Sequence, residues 1–371
     1  MKILIDLTSL ADNFSGIERF AMCISKEIIN CKDNEYVLIF KNEIHNEFEE
    51  LVDNVRVKAY VLKGRNKLLF NQVILPLKIY GIKADAYLFL AFPVPILLFK
   101  TNMISTIHDI CCWDCPETMK SVSKWYFRIS HKVAIRKCKS IITISEFSKQ
   151  RIVERLKYPE NKIWKIKCGI SDVFLDFSFS SEENEKVISK YKLPSNYLLC
   201  LSTLEPRKNM RLLVEAYSRL VLECNVNQDL VLAGRKGWKI DDLLASLDKK
   251  VASKIHVTGF IDDIDLPYIY KNAQSFIFPS KYEGFGIPPL EAMSVGTAVI
   301  SSDSTSLPEV LGNAAIYFEN NNKNDLERKI YYITSLITQN EYLELKKDGI
   351  NRVKLFSWEK EAKKLIEKLK L

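Results

Sequence analysis

No apolar run in this chain of 371 residues is long enough to cross a bilayer: the longest, Ala86 to Phe99, has 14 residues and contains Pro93 and Pro95. A spanning helix needs about 20 apolar residues, so this run reads as a buried strand followed by a loop. A basic leader is also missing from the opening MKILIDLTSL, and an unexported, cytoplasmic chain is expected. Nine cysteines, an odd number without an export signal, are expected as reduced thiols rather than a disulfide framework. Cys111, Cys112 and Cys115 have no second C-x-x-C and no suitably spaced His pair to complete a four-ligand site, so no metal is expected. The chain has no G-x-G-x-x-G, which argues against a nicotinamide-dependent oxidoreductase. It has neither a helix-turn-helix nor an RNP pattern and no regular aromatic interleaving, so nucleic acid is not an expected partner.

What is present describes two α/β domains. With 47% hydrophobic and 27% charged residues the composition is that of a globular protein, and the length exceeds one ordinary core. Short apolar runs alternate with amphipathic stretches throughout, the pattern of parallel sheets covered by helices. The expected organisation is a first domain over 1–170, a polar linker over 171–195, a second domain over 196–353 and a closing helix over 354–371. Charge is uneven. Leu51 to Asp172 holds 22 Lys and Arg against 9 Asp and Glu, an excess of 13, whereas the net charge is +8, so the remainder carries −5. A basic first half points to an anionic surface or a phosphorylated lipid; Lys63, Arg65, Lys67, Lys120, Lys124 and Arg128 are the candidate contacts.

The stretch PSKYEGFGIPPLEAMSVGTAVISSDSTSL, Pro279 to Leu307, concentrates the chemistry. Pro288 and Pro289 suit the first turn of a helix, where no backbone donor is needed, and Gly296 suits its end. The amides of Gly284, Phe285, Gly286 and Ile287 then form the donor fan that a phosphate seeks at a helix N-terminus. Glu283 before the helix and Glu291 one turn inside it are better suited to accept from hydroxyls than to face the same phosphate. Earlier, Glu205-Pro206-Arg207-Lys208-Asn209 follows an apolar strand, and two adjacent cations at a helix head make sense when an anion neutralises them. Thr106-Ile107-His108-Asp109 and Ser15-Gly16-Ile17-Glu18-Arg19 also stand where strands give way to loops, the edge at which open α/β sheets bind ligands. Leu232-Ala233-Gly234-Arg235 and Thr258-Gly259-Phe260-Ile261 supply two further strand-end glycines. Asp263-Ile264-Asp265 mimics the D-x-D of metal-dependent transferases, but acids before a helix read as caps.

The E-x7-E stretch with its flanking PS, GFG and PP resembles the signature of retaining GT-B glycosyltransferases, the group 1 transferases that include glycogen synthases, sucrose synthases and bacterial lipopolysaccharide mannosyltransferases. The resemblance implies two Rossmann-like domains facing across a cleft, the first binding the acceptor and the second the nucleotide sugar. It implies transfer of a hexose, with retention and without a metal or cofactor, from a nucleoside diphosphate sugar to a glycan or polyprenyl-diphosphate-linked acceptor. His108, Arg207, Lys208 and Glu283 would be the catalytic set. Gly16, Gly259, Phe260, Ile261, the 284–287 amides and Glu291 would hold the donor, with Glu291 on the ribose. The wording of SGIER and TLEPRKN looks most like mannosyl- and rhamnosyltransferases of surface-polysaccharide assembly, which favours GDP-mannose and places the chain at the inner face of the plasma membrane. The alternative is a non-catalytic GT-B subunit that binds nucleotide sugar or glycan.

Overall fold

Two parallel sheets account for the alternation read from the sequence, and the chain divides around them into two units, Met1–Gly169 with Ser357–Leu371, and Ile170–Phe356. The computed structural model describes residues 1–10, 16–31, 33–66, 69–202, 205–234 and 244–371; Ser15, Lys67, Thr203, Leu204 and Arg235 of the stretches above lie outside the described residues.

In the first unit β1 (Lys2–Asp6), β2 (Glu35–Lys41), β3 (Val57–Leu62), β4 (Ala86–Phe89), β5 (Met103–Thr106), β6 (Ser140–Thr143) and β7 (Ile163–Lys165) form a sheet of order β3-β2-β1-β4-β5-β6-β7. Ile3 of β1 stands opposite Tyr36 on one side and Ala86 on the other. β4, β5 and β6 are buried along their whole length, which is why they read as apolar runs without alternation. The longer helices of this part are α1 (Gly16–Asn30), α2 (Leu75–Tyr80), α3 (Ser121–Lys137) and α4 (Glu146–Leu156). Phe70, Leu75 and Ile79 around α2, Ala134 of α3 and Ile152 of α4 share one core with Leu4, Val37, Ile39, Phe89 and Ile141 of the strands. A π-helical turn, Phe70–Ile74, leads directly into α2.

The second unit repeats the plan. β8 (Tyr197–Leu201), β9 (Asp229–Ala233), β10 (Ile255–Gly259), β11 (Ser275–Phe278), β12 (Ala298–Ser302) and β13 (Ile316–Phe318) take the order β10-β9-β8-β11-β12-β13. Its longer helices are α5 (Ser181–Tyr191), α6 (Met210–Glu223), α7 (Leu266–Asn272), α8 (Ile287–Ser294), α9 (Lys323–Tyr331) and α10 (Gln339–Val353). Two expectations change here. The stretch 171–195, expected as a linker, carries the short helix Asp172–Leu175 and α5, and it groups with the second unit; Ser180 caps α5 by accepting from Glu183 N–H. Asp265, expected as a cap of α7, makes no capping bond; its carboxylate takes the Lys190 ammonium at 2.6 Å and the Tyr191 hydroxyl at 2.9 Å instead. An ion pair with α5 satisfies the acid more strongly than a neutral amide would.

The chain ends in α11 (Trp358–Lys370), which packs on α1 in the first unit. Trp358 meets Phe20 edge-on at 5.7 Å, and the Lys167 amide donates to Glu361 Oε2 at 3.1 Å. Gly169 permits this approach, since a Cβ there would lie 2.5 Å from Trp358 N.

Candidate active site

Strand order changes direction at β8 and β11, whose onward connections leave to opposite sides of the second sheet. Such a switch point opens a crevice beyond the carboxyl ends of the strands, and the loops after these two strands carry the charged residues. After β8, Pro206–Lys208 forms a 3-10 turn and Asn209 takes a left-handed conformation, φ 57°, before α6 begins at Met210. The two cations therefore precede the helix rather than oppose its dipole from within. After β11 the chain runs through Ser280 and Glu283 to Gly286, whose φ of 100° turns it into α8.

These two loops are stitched together. Lys281 N–H donates to Arg207 O at 2.9 Å. The Lys208 ammonium lies 2.6 Å from Glu283 Oε1, and Arg207 Nη1 donates to Glu283 Oε2 at 3.1 Å and to Tyr282 O at 2.7 Å. The Ser280 hydroxyl donates to Glu283 Oε1 at 2.5 Å. Burial alone would push the Glu283 carboxyl up, yet the charges of Lys208 and Arg207 and their hydrogen bonds hold it down to about 2. Burial lowers Lys208 in turn, partly offset by Glu283. Two cations share one carboxylate, so the cluster keeps an excess of one positive charge in a site where Lys208 is only 14% exposed.

The loop after β12, whose role was not legible in the sequence, shapes the Glu283 turn. Ser302 and Ser304 hydroxyls donate to Ser280 O at 2.6 and 2.8 Å. Thr305 Oγ1 accepts from Glu283 N–H at 2.9 Å and donates to Glu283 O, and Ser306 donates to the carbonyls of Glu283 and Phe285. The only signal was the run SSDSTS itself, whose short hydroxyl side chains suit bonds to nearby backbone.

α8 spans Ile287–Ser294, with Gly296 in a left-handed conformation just beyond. Pro288 and Pro289 fall in its first turn, so Gly284, Phe285, Gly286 and Ile287 supply the amides at that end. Glu291 is buried within α8 at 4% exposure and accepts from the Tyr270 hydroxyl at 3.2 Å. At the end of β10, Gly259 has φ 75° with nothing within 4 Å of a would-be Cβ, Phe260 is half exposed and Ile261 is buried. Asn209 Nδ2 and Ser202 Oγ are buried polar atoms without a hydrogen-bond partner among the described residues.

In the first unit Gly16 is the first residue of α1, and a Cβ there would meet nothing within 4 Å among the described residues. His108 is buried after β5, with Nε2 3.0 Å from Leu90 O and its ring edge-on to Phe20. Burial lowers its pKa to about 4, and that of the neighbouring His131 to about 3, so both are neutral near pH 7. The unfolded chain binds protons on these two imidazoles that the fold refuses, so their stabilising contribution is complete above pH 6.5 and is lost as pH falls toward 4 and 3. The first unit is expected to lose about 3 kcal/mol per histidine by pH 4; calorimetry of wild type and His131→Gln between pH 7 and 4 checks this, the variant showing the shallower decline.

The first unit also holds a cavity of about 510 Å³ beyond β1, β2 and β4, lined among others by Asp6, Asn42, His45, Asn71, Gln72 and Tyr126. It adjoins the switch point between β1 and β4. Asp6 Oδ1 accepts from the Thr8 amide and hydroxyl, and burial raises its carboxyl against those bonds.

The sequence model of the family described as Glycosyl transferases group 1 matches residues 181–352. O-antigen chain mannosyltransferase B of Escherichia coli is 36% identical over 272 residues, which cover 72% of this chain and 70% of that protein. The serotype-specific mannosyltransferase WbdA of Escherichia coli is 32% identical over 235 residues, 62% of this chain and 29% of WbdA. Among solved structures, Anabaena HepE in complex with UDP and glucose superposes with a TM-score of 0.74 at 16% identity, covering 100% of this chain and 99% of that one.

Proposed function

The chain belongs to the glycosyl transferases group 1 family, and from that premise we propose that it moves mannose from a nucleoside diphosphate donor, GDP-mannose first among candidates, with retention and without a metal. It is a hexosyltransferase of GT-B fold, and its similarity to O-antigen mannosyltransferases supports sugar transfer in O-antigen assembly. The observation that carries the donor reading is the Arg207–Glu283–Lys208 cluster with its excess positive charge beside the 284–287 amides.

Breaking the anomeric C–O bond leaves a diphosphate while the sugar becomes oxocarbenium-like. Arg207, Lys208 and the amides at the head of α8 stabilise the departing oxygens, a low-dielectric arrangement of fixed donors. Glu283 accepts from a sugar hydroxyl, Glu291 from the ribose, and Gly259 to Ile261 lie along the base. The acceptor oxygen forms its bond to the anomeric carbon on the face the diphosphate leaves, and its proton passes to the leaving phosphate oxygen. The first-unit cavity, with amides, a phenol and Asp6, suits the hydroxyls of an acceptor glycan; His108 fixes the chain just after β4 through its bond to Leu90 O. An anionic lipid carrier on that acceptor matches the basic first half.

Nucleoside diphosphate release, measured with GDP-mannose, UDP-glucose and other donors and a short mannan acceptor, tests the reading. Release is expected to survive EDTA, because the cations and amides occupy the role a metal plays elsewhere. Complete loss with EDTA and recovery with magnesium or manganese would overturn the metal-free part. Donor hydrolysis or transfer with none of the donors would leave the non-catalytic alternative.

A further inference from the structure

The cavity of the first unit runs against the charge of the chain around it. Leu51 to Asp172 carries the excess of 13 positive charges, yet what that stretch sends into the cavity is uncharged, Asn71, Gln72 and Tyr126 among others. The charged lining comes from the ends of β1 and β2: the carboxylates of Asp6, Glu43 and Glu49 against one ammonium, Lys41. Lys41 Nζ is turned over the Phe70 ring, 5.1 Å from its centre, and takes part in no ion pair among the described residues. Glu43 and Glu49 are exposed, so they stand at the rim, and neither is ion-paired among the described residues.

Deeper in, hydrogen-bonding capacity is left over in both senses. Asp6 Oδ1 takes both bonds from Thr8, the amide at 3.1 Å and the hydroxyl at 2.7 Å, while Oδ2 has no partner among the described residues. Gln72 Oε1 accepts from Ile96 N–H at 2.8 Å, which leaves its amide hydrogens to donate. Burial, with the Asp6 charge nearby, raises the Tyr126 phenol and keeps it protonated. A sugar hydroxyl uses both senses at once, donating to a carboxylate oxygen and accepting from an amide. A phosphate brings only acceptors to Asp6 Oδ2, and its charge is repelled by three carboxylates in a space that water screens poorly.

We propose that this cavity takes the accepting sugar as an uncharged unit, with hydroxyls on Asp6 Oδ2 and the Gln72 amide, and that Glu43 and Glu49 reject acceptors phosphorylated on that sugar. The inference rests on the hexosyltransferase reading above and narrows its acceptor. It also fixes a place in a reaction sequence. Any carrier phosphate lies outside the cavity, so an earlier glycosyl transfer must already have put at least one sugar between that phosphate and the accepting one.

Three mannotrioses test this in the full-length protein: unmodified, phosphorylated on the accepting mannose, and phosphorylated on the reducing-end mannose. Phosphate on the accepting mannose is expected to lower kcat/KM about 100-fold, and phosphate at the reducing end by less than about three-fold. Glu43→Gln with Glu49→Gln is expected to raise the ratio of kcat/KM for the first phosphorylated acceptor to that for the unmodified one about ten-fold. Asp6→Asn keeps the shape and the bonds to Thr8 but not the charge; it is expected to raise KM for unmodified mannotriose about ten-fold or more and leave KM for the donor unmoved. Calorimetric titration of the three acceptors without donor is read in parallel. No transfer in the wild type with any donor would strike the functional reading, and the calorimetric preference would still decide this one. Equal use or binding of the unmodified and accepting-end phosphorylated acceptors, an unchanged ratio in the double variant, or an unchanged acceptor KM in Asp6→Asn would overturn the proposal.

Discussion

Glu283→Ala is expected to lower kcat/KM on the order of 100-fold and to destabilise the second unit by about 3 kcal/mol. Both effects come from one geometry. Lys208 and Arg207 share that carboxylate, and Lys208 is too enclosed for water to replace it. A loss of this size moves the melting transition of a unit of this length down by about 6 to 12 °C. Lys208→Ala removes a cation instead and leaves Glu283 with Arg207, so it is expected to impair donor use with a smaller loss of stability. The pair behaves as a unit: Lys208→Ala in the Glu283→Ala background should cost less than the two singles added, because the charge stranded by one change is removed by the other. Thermal denaturation of the four proteins gives the coupling directly, and additive values would show that the pair contributes nothing. Acid acts on the same group at a lower pH than on the histidines. Glu283 is held at about 2 against an ordinary 4.5, so its contribution is complete above 4.5 and is lost as pH falls toward 2.

Gly234→Ala is expected to abolish nucleotide binding and to lower the second unit's unfolding transition by about 6 to 12 °C, on the order of 3 kcal/mol. Gly234 has φ 126°, a region L side chains rarely adopt, and a Cβ there would stand 2.1 Å from Ser202 O. That oxygen is main chain and cannot rotate away. Ser202 N–H bonds to Ala233 O, and Gly234 N–H to Gly259 O, so the carboxyl ends of β8, β9 and β10 would be forced apart together. The loop so displaced carries Arg207 and Lys208. Gly16→Ala is the contrast, since among the described residues nothing lies within 4 Å of its Cβ and the amide survives the change; folding is expected to be unaffected. Calorimetry that resolves both units, with the first unit's transition unmoved, checks the assignment.

Elements whose boundaries are written locally were legible. β1 lies on the apolar run that opens the chain, Lys2–Asp6, and α4 begins where Ser145 caps it by accepting from Ser148 N–H. α8 was expected from Pro288 toward Gly296 because proline and glycine act through their own backbone geometry. Features assembled from distant segments were not legible. The cavity draws on the ends of three strands, on the π turn and on α3, and no single stretch shows that Asp6, Asn71 and Tyr126 meet. That Arg207 and Lys208 would find their anion inside the chain, 75 and more residues away, depends on β8 and β11 being neighbours in the sheet. The polar stretch before Pro194 looked like a linker because α5 turns only its Val187 to the core; the rest of that helix is stabilised by its cap and its ion pairs to Asp262 and Asp265.

Gly169 bears on how this chain comes to be folded at all. It passes so close to Trp358 that no side chain fits between them, and Ala362, Leu365 and Ile366 of α11 are buried in the first unit. The ribosome therefore makes Ile170–Phe356, 187 residues, before it delivers the piece that completes the first unit. The second unit, though made later, is contiguous and can finish first, while the first waits with the surface of α1 that α11 covers still open to solvent. The same closeness offers a remedy in the laboratory: a gene that joins Gly169 to Ser357 through a short turn encodes the first unit as one uninterrupted chain.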